Sequence, residues 1–412
     1  MQATTSSADS NVASRIAARV RRIKPSPSTS AADRANELRR QGKSIVNLVV
    51  GEPDFDTPAH IRQAAAAAIE RGATRYTLMA GTVELREAIV AKLERENGLR
   101  YAMNEIIATS GAKSAIYNAF AITLEPGDEV IIPAPYWVSY PDMVLACEGT
   151  PVTVPCPEAN GFKLTPAQLE AAITPRTRWL LINSPSNPTG ASYTAAEYRA
   201  LAEVLERHPQ VMVMTDEIYE HIRFDDEPLP HILAVAPSLR DRTLIVNGVS
   251  KTYAMTGWRI GYAAGPVDLI KALDTLLSQS TGNCCSVSQA AAAAALNGDQ
   301  SFVTESVAVY RQRRDCTLAL VNAIPGLSCA TPPGAFYLYI NCGGLISKTT
   351  PQGKRLEEDG DVVMYLLESE GVAVVAGTAY GLSPYFRLSI ATSIETLEEG
   401  GKRIARAVAA LR

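Results

Sequence analysis

An α/β fold, in which helices flank a mainly parallel sheet, is predicted by the order of apolar and polar segments. Short runs rich in Val, Ile and Leu alternate with segments of helical spacing through the middle of the chain, and this alternation is typical of β-α units. Three runs, at residues 179–182, 211–214 and 244–246, are each followed by polar residues. Because open parallel sheets bind ligands at the carboxyl ends of their strands, these residues are expected to share one site.

The other helices and strands can be placed from their hydrophobic spacing. Predicted helices cover residues 31–40, 58–70, 83–97 and 302–321, and a long helix is expected after residue 264. Predicted strands cover residues 44–50, 106–109, 130–133, 261–264, 334–340 and 372–375. Residues 348–361 are polar and charged, so we expect a solvated loop there.

Composition narrows the range of partners. The 43 acidic and 39 basic residues give a formal charge of −4, which argues against a nucleic-acid or anionic-membrane partner. No apolar run approaches membrane-spanning length. The seven cysteines form no C-x-x-C pair and the four histidines have no zinc-ligand spacing, so neither a disulfide framework nor a metal site is predicted. Small metabolites are the expected ligands, and a reducing cytoplasm is the expected location.

Lys251 is the first candidate for chemistry. It follows the predicted buried strand at residues 244–246 and stands beside Ser250 in a segment with few charges. A poorly hydrated lysine is held partly as the neutral amine, which is a nucleophile toward aldehydes. Arg259 lies shortly downstream and can bind an anion. The pair suggests an aldehyde cofactor that bears phosphate, although a solvated lysine and an ordinary ion-pairing arginine would look the same in isolation.

A second anion site is predicted where the strand at residues 106–109 runs into a helix. Ser110 and Gly111 stand at the start of that helix, where unpaired N–H groups and the positive end of the dipole attract phosphate. Small residues are also common there as simple caps. The segment alone leaves both interpretations open.

Three motifs in order resemble the class I aminotransferases that use pyridoxal 5′-phosphate (PLP). They are N-S-P-S-N-P-T-G from Asn183, T-D-E-I-Y from Thr215 and S-K-T-Y-A-M-T-G-W-R-I-G-Y from Ser250. Each motif is weak alone, but together and in this order they are highly specific. The resemblance covers nearly the whole chain after residue 13. It implies PLP-dependent transferase fold type I, with a mainly parallel seven-stranded sheet and a smaller α/β domain.

The resemblance also implies roles for individual residues around the cofactor. Lys251 would carry PLP as an imine and would move a proton between the substrate Cα and the cofactor. Asp216 would bind the ring nitrogen, and Trp137 would stack on the ring. Tyr219 and Asn187 would bind the phenolic oxygen. The residues expected near the phosphate are Gly111, Ala112, Lys113, Ser250, Arg259 and Tyr76. In the family, the residue matching Tyr76 reaches the neighbouring subunit, so a homodimer with shared active sites is expected.

Substrate contacts follow from the same resemblance. Arg387, in the predicted strand at residues 385–391, is expected to bind the α-carboxylate of an amino acid through its guanidinium fork. Gly51, in the loop G-E-P-D-F-D-T-P, would bring a backbone N–H to the same carboxylate. Trp137 and Asn187 would also border the substrate. Lys113 and Lys24 are candidates for the second carboxylate of a dicarboxylic substrate.

The expected reaction is transamination of L-aspartate, or of a related dicarboxylic amino acid, with 2-oxoglutarate, giving oxaloacetate and L-glutamate. The alternatives on the same fold are an aromatic or prephenate aminotransferase and a PLP-dependent C–S lyase. A non-catalytic ligand sensor is a third alternative. The presence of Lys251 and Arg387, and the lack of a basic helix-turn-helix segment, count against a sensor.

Three parts of the chain are predicted: an N-terminal tail and arm at residues 1–30, a large PLP-binding domain at residues 59–302, and a small domain made of residues 31–58 and 303–412. The first 30 residues are rich in Ser, Thr, Ala and Arg, a composition shared with mitochondrial transit peptides. Residues 14–29 resemble the N-terminal arm of bacterial aspartate aminotransferases. This favours a short disordered tail and a retained arm.

Overall fold

Three β-sheets organise the computed structural model, which describes residues 15–25, 27–225 and 230–412. The strands are β1 (Val46–Asn47), β2 (Ile106–Thr109), β3 (Glu129–Ala134), β4 (Thr150–Pro155), β5 (Thr177–Asn183), β6 (Met212–Asp216), β7 (Thr243–Gly248), β8 (Gly261–Ala264), β9 (Tyr337–Asn341), β10 (Val372–Ala373), β11 (Val375–Ala376) and β12 (Tyr385–Ser389). The largest sheet has seven strands in the order β2-β8-β7-β6-β5-β3-β4. Only β8 runs antiparallel to its neighbours, so the predicted mainly parallel sheet is confirmed.

Local sequence signals explain where several helices begin and end. The helices are α1 (Ala18–Arg22), α2 (Pro27–Arg40), α3 (Ala59–Glu70), α4 (Val83–Asn97), α5 (Ala112–Thr123), α6 (Tyr140–Ala146), α7 (Pro166–Ala172), α8 (Ala195–Arg207), α9 (Ile232–Val235), α10 (Val267–Ser278), α11 (Ser286–Asn297), α12 (Ser301–Asn322), α13 (Asp359–Glu370) and α14 (Ile394–Ala409). The Thr82 side chain caps α4 by accepting a hydrogen bond from the Leu85 N–H, and Gly98 ends it with φ of 66°. Thr194 and Glu197 form a capping box that starts α8.

Alternate residues of the central strands face opposite sides of the seven-stranded sheet. In β5, Leu180 and Ile182 pack with residues of α3, α4, α8 and α11, whereas Trp179 and Leu181 pack with residues of α5, α6 and α10. Both sets are almost fully buried. A strand covered on both faces needs a continuous apolar run, which is the pattern seen in the sequence. The predicted flanking of the sheet by helices is therefore confirmed.

Two smaller sheets lie nearer the ends of the chain. Strands β11, β12 and β9 form an antiparallel sheet, and β1 pairs in parallel with β10. Residues of α12, α13 and α14 pack against β9 and β12 in a further apolar cluster. The seven-stranded sheet draws its strands from residues 106–264, and the three-stranded sheet draws its strands from residues 337–389. The exact domain boundaries at residues 59 and 303 stay a prediction.

Two predicted strands are shorter than expected. The strand predicted at residues 44–50 is reduced to Val46–Asn47, because the Val49 N–H donates to the Asn47 side chain (3.1 Å) instead of to a neighbouring strand. The strand predicted at residues 372–375 is two strands, β10 and β11, which belong to different sheets. The chain changes partners at Val374.

The helix expected after residue 264 is α10, and Gly282 separates it from α11 with φ of 72°, in the left-handed region that favours glycine. One further prediction is corrected by the structure. The segment at residues 348–361 is not solvated throughout, because Leu356 and Asp359 are fully buried. Asp359 begins α13, and its carboxylate accepts hydrogen bonds from the N–H groups of Thr378 (3.1 Å) and Tyr385 (3.3 Å).

The predicted tail, residues 1–13, lies outside the described residues. The described part of the predicted arm includes α1, which packs against α6. All seven cysteines lie in the described part of the chain, and each is a free thiol. None of the described helices is both long and apolar enough to cross a membrane.

Candidate active site

One cleft of about 660 Å³ lies at the carboxyl ends of the central strands and is bordered by the three-stranded sheet. It contains most of the residues singled out from the sequence. The predicted residues that line it are Gly51, Ala112, Lys113, Trp137, Asn187, Asp216, Tyr219, Ser250, Lys251, Arg259 and Arg387. These residues come from seven separate segments, and the fold brings them together as the position of polar residues after the strands predicts.

Lys251 follows β7 and points into the cleft. Its ammonium group donates a hydrogen bond to the Gly51 carbonyl oxygen at 2.7 Å. Burial, reinforced by the positive charges of Arg259 and Arg387, lowers the pKa of Lys251 to about 8 against the opposing charges of Glu52 and Asp216. A lysine with this pKa exposes a useful fraction of neutral amine near pH 7, so Lys251 is equipped to attack a carbonyl carbon.

Asp216 ends β6 and is almost fully buried. Its carboxylate accepts hydrogen bonds from the Tyr140 hydroxyl (2.6 Å) and the Ile218 N–H (3.3 Å). Burial raises the pKa of Asp216 to about 6, although these bonds and the charge of Lys251 work against the rise. The carboxylate is therefore ionised above pH 6 and can pair with a cationic group in the cleft.

Gly111, Ala112 and Arg259 form a site that we call the anion cradle. Gly111 has φ of +83°, and a Cβ at this position would collide with the Arg259 guanidinium. Gly261 has no Cβ either, and one would collide with the Ala112 N–H at the start of α5. Two glycines thus let a guanidinium and a helix N-terminus converge. Arg259 itself has φ of 56°, a strained conformation for a residue with a side chain. A phosphate group matches this arrangement.

Arg387 lies on β12 and is 3% exposed. Its guanidinium donates to the Asn187 side-chain oxygen (3.1 Å) and to the Val49 carbonyl oxygen (2.5 Å). We call Arg387 with these two partners the carboxylate clamp. Its Nε finds no hydrogen-bond partner among the described residues. A buried charged donor without a partner is costly, so a carboxylate in the cleft is the expected acceptor.

Lys113 is a second cation in the cleft, on α5. Its ammonium group lies 4.7 Å from the centre of the Trp137 ring and 3.4 Å from the Ser139 hydroxyl. Burial lowers the pKa of Lys113, and the nearby charge of Arg259 adds to the effect. The amine therefore gains from an anionic partner, and the cleft has one cation on α5 and another, Arg387, on β12.

Three predicted residues do not line the cleft. Gly111 is part of the anion cradle through its contact with Arg259. Tyr76 is 96% exposed. Lys24 is exposed, and its backbone N–H donates to Asp142 on α6 (3.1 Å). The roles proposed for Tyr76 and Lys24 stay predictions.

Some residues of the cleft were not predicted from the sequence. They include Asn36, Asn47, Glu52, Tyr140 and Tyr337. For two of them the sequence did contain a signal of proximity to the cleft. Tyr140 follows Trp137 by three residues, where a helix begins, and Glu52 directly follows Gly51. No signal marked Tyr337, which alternates with other aromatic residues along an ordinary buried strand.

Comparison with known proteins places the chain in a family. The sequence profile of the aminotransferases of class I and II matches residues 43–404. The aspartate aminotransferase of Rhizobium meliloti (strain 1021) is 54% identical over 374 residues, which are 91% of this chain and 91% of that one. The aspartate/prephenate aminotransferase of Cereibacter sphaeroides is 54% identical over 383 residues, which are 93% of this chain and 96% of that one.

Solved structures agree with these matches. The crystal structure of the Rhizobium meliloti aspartate aminotransferase superposes with a TM-score of 0.95 at 52% identity, covering 96% of this chain and 99% of that one. The structure of the Thermus thermophilus aspartate aminotransferase with maleate superposes with a TM-score of 0.88 at 42% identity, covering 95% of this chain and 99% of that one. The fold and cleft define an α/β enzyme that handles amines and carboxylates. The chain belongs to the class I and II aminotransferase family, and the resemblance predicted from its sequence is confirmed.

Proposed function

We propose that this aminotransferase uses PLP to transfer the amino group of L-aspartate, or of a related dicarboxylic amino acid, to 2-oxoglutarate, giving oxaloacetate and L-glutamate. The cytoplasmic location predicted from the sequence belongs to the same proposal. The observation that carries it is the position of Lys251 in one cleft with Arg259 of the anion cradle, Asp216 and Arg387. Relatives named for aspartate support the choice of donor.

The residues of the cleft fit PLP. The anion cradle suits its phosphate, because the missing side chain at Gly111 leaves the Arg259 guanidinium beside the start of α5. The buried carboxylate of Asp216 suits the protonated ring nitrogen. Tyr219 and Asn187 both line the cleft and can bind the phenolic oxygen.

Each residue then has a defined task. When bound, PLP supplies an aldehyde that takes up the amino group and an electron-poor ring that accepts the electrons released at the substrate Cα. Lys251 would hold the aldehyde in the resting enzyme, and its Nζ, once released, would carry the proton from the substrate Cα to the carbon that had borne the aldehyde oxygen. Asp216 keeps a proton on the ring nitrogen, which maintains the ring as an electron acceptor. Arg387 holds the α-carboxylate.

Preference for a dicarboxylic substrate is assigned to Lys113. Arg387 satisfies one carboxylate, so an aspartate-specific site needs a second cation, and Lys113 supplies one from α5. Lys113 lacks an ion-pair partner within 4.0 Å among the described residues. A second candidate activity, transamination with prephenate as the amino-group acceptor or with an aromatic amino acid as the donor, is favoured by the relative named aspartate/prephenate aminotransferase. Lys24 is the residue predicted to assist there.

The test is a screen of amino donors against 2-oxoglutarate, with the keto-acid product identified. L-Aspartate should be converted to oxaloacetate with the highest kcat/KM. Equal or better use of phenylalanine or tyrosine, or of L-glutamate with prephenate as acceptor, would replace the aspartate assignment by the second candidate. Pyruvate and ammonia released from a cysteine conjugate without any keto-acid acceptor would indicate C–S lyase chemistry and contradict the proposal.

We also propose that the working unit is a homodimer with shared active sites. Tyr76 is 96% exposed and Leu78 is 60% exposed, so both side chains are accessible to a neighbouring subunit. Tyr76→Ala and Lys251→Ala proteins should each be inactive, because each lacks a cofactor contact. Mixing them under conditions of subunit exchange should restore activity, since one site of the mixed dimer is intact. Verified exchange without recovered activity would disprove sharing.

A further inference from the structure

Tyr337 is a buried side chain of the cleft for which the proposed function has no task. It lies on β9, is 1% exposed and lines the cleft. In the antiparallel pairing of β9 with β12 it stands opposite Ser389, two residues beyond Arg387. Residues two apart on a strand share one face, so Tyr337 and Arg387 are diagonal neighbours on the face that borders the cleft.

The Tyr337 hydroxyl forms one hydrogen bond, to the Tyr219 hydroxyl, at 2.9 Å. Within the described part of the chain neither hydroxyl has another hydrogen-bond partner. A buried hydroxyl proton needs an acceptor, and the Tyr219 oxygen is the one available to Tyr337. Either hydroxyl can donate in this pair. When Tyr219 gives its proton to an acceptor in the cleft, Tyr337 is the donor of the pair.

The Tyr337 ring and its surroundings are equally constrained. The Arg387 guanidinium lies over the ring, 4.3 Å from its centre, which is within the range of a cation–π interaction. A Cβ at Gly51 would lie 3.1 Å from the Tyr337 hydroxyl, so the loop that carries Gly51 packs directly against it. The same Gly51 accepts the hydrogen bond of Lys251. Tyr337 thus connects the cofactor side of the cleft to its carboxylate clamp.

We propose that Tyr337 is a positioning residue for transamination: its hydroxyl donates to Tyr219 and so aims the Tyr219 proton at the phenolic oxygen of the cofactor, and its ring fixes the Arg387 guanidinium for the α-carboxylate. The inference rests on the proposed function of the cleft. Successive hydrogen bonds polarise one another, so the Tyr337 hydroxyl makes Tyr219 a stronger donor.

The first experiment removes the hydroxyl and keeps the ring. Tyr337→Phe holoenzyme is titrated with acid and base while the visible absorption of the bound cofactor is recorded. Proton loss from the linkage between Lys251 and the cofactor leaves negative charge on the phenolic oxygen, which Tyr219 stabilises. A weakened Tyr219 donor should raise the titration midpoint by roughly 0.2–0.6 pH unit. The charged groups that face this linkage, all unchanged in the variant, are Glu52, Lys113, Asp216, Arg259 and Arg387.

The matched control is Tyr310→Phe. Tyr310 is also 1% exposed and packs against Phe336, with ring centres 5.4 Å apart, but it does not line the cleft. Its hydroxyl has no hydrogen-bond partner among the described residues. Removing this hydroxyl should leave the titration midpoint unchanged. A midpoint shift in Tyr337→Phe is therefore attributable to the bond with Tyr219.

The second experiment removes the ring. Succinate, a dicarboxylate without an amino group, is titrated into the holoenzyme and its Kd is measured by calorimetry. Tyr337→Phe should bind succinate within about twofold of wild type, because the ring remains under Arg387. Tyr337→Leu should bind it roughly 5- to 30-fold more weakly. Circular dichroism before each titration verifies that the protein is folded. If Tyr337→Leu does not fold, Tyr337→Phe still tests the role of the hydroxyl.

The outcomes separate this inference from the proposed function. Wild-type protein that shows no cofactor absorption after PLP is added would overturn both. A normal wild-type spectrum, with a Tyr337→Phe midpoint that matches Tyr310→Phe, would overturn the role of the hydroxyl alone. Equal weakening of succinate by the phenylalanine and leucine variants would overturn the role of the ring.

Discussion

Two buried lysines of this protein have opposite surroundings. Lys92, on α4, is 1% exposed, contacts the Glu220 carboxylate and donates to the Asn97 side chain at 2.9 Å. Lys251 donates to one backbone carbonyl, and no carboxylate of the described residues lies within 4.0 Å of its amine. The same side chain is therefore a structural cation in one place and a reactive amine in the other, because the partner decides its chemistry.

The pKa of Glu220, whose carboxylate contacts Lys92, shows that the two charges stabilise each other. Burial alone would raise the pKa of Glu220, but Lys92 and His221 outweigh burial, and the pKa is lowered. Glu220 also accepts a hydrogen bond from the Asn247 side chain at 2.6 Å. Glu220 directly follows Tyr219 in the chain, so the paired lysine helps to fix the loop that carries two residues of the cleft.

The largest expected effect is on turnover. Lys251→Ala should reduce kcat by more than about 10³-fold, because the variant loses both the amine that binds the cofactor and the proton-transfer base. The variant should still bind PLP through the anion cradle. In wild-type protein, borohydride should reduce the bond between Lys251 and PLP. The visible absorption band of the bound cofactor should then disappear, and the cofactor should remain attached, as a label, to the peptide that contains Lys251. A label on another lysine would contradict the assignment.

Lys92→Met should leave the cofactor band intact and destabilise the fold. Methionine keeps most of the side-chain volume but leaves the Glu220 carboxylate buried without its cation. We expect the free energy of unfolding to fall by about 3–5 kcal/mol, measured by urea denaturation. The double variant Lys92→Met/Glu220→Gln should recover part of the loss. A loss below about 1 kcal/mol would mean that Lys92 is not the essential partner of Glu220.

In cofactor-free protein, the same substitution at Lys251 should raise the free energy of unfolding, whereas Lys92→Met lowers it. The pKa of Lys251 is lowered from 10.5 to about 8 by folding. Below pH 8 the amine is protonated in both states, but the folded protein binds this proton less tightly than the unfolded chain does, and this lowers its stability. Lys251→Met removes this cost and should stabilise the protein at pH 7 by up to roughly 3 kcal/mol.

The pH dependence provides the check. Between pH 8 and 10.5 the unfolded wild-type chain binds more protons than the folded one, so wild-type stability should rise relative to Lys251→Met. The difference between the two proteins should be largest below pH 8 and vanish near pH 10.5. A constant difference across this window would show that the folded-state pKa is ordinary.

A third lysine gives the smallest effect. Lys113→Ala should reduce kcat/KM for L-aspartate by the equivalent of roughly 1–3 kcal/mol, the usual contribution of a charge-assisted hydrogen bond. Alanine and phenylalanine, which lack a second carboxylate, should be nearly unaffected as donors. Equal losses for all donors, together with weaker PLP binding, would assign Lys113 to the cofactor phosphate.

Sequence patterns predicted the central sheet well because its strands are covered on both faces. Continuous apolar runs and the polar residues that follow them located β5, β6 and β7 and the position of Lys251. The pattern located β1 and β10 but overestimated their length, because their pairing depends on a partner more than 320 residues away and extends over two residues. Long-range pairing leaves no local periodicity to detect.

Side-chain partners were harder to predict than positions. The sequence placed Asp216 and Arg387 in the cleft, but it did not indicate that Tyr140 donates to Asp216 or that Tyr337 lies under Arg387. Aromatic residues on buried segments are most often simple core residues. Their hydroxyl contacts depend on how distant strands align, which a single sequence does not encode in any local pattern.

The carboxylate clamp has a consequence for synthesis. Arg387 is held by Val49, 338 residues earlier, and by Asn187, 200 residues earlier. At roughly 5–20 residues per second, a ribosome delivers Arg387 on the order of ten seconds after Lys251. During that interval the nascent chain already carries the lysine and the arginine of the anion cradle. Every residue of the anion cradle is therefore synthesised before the carboxylate clamp is complete.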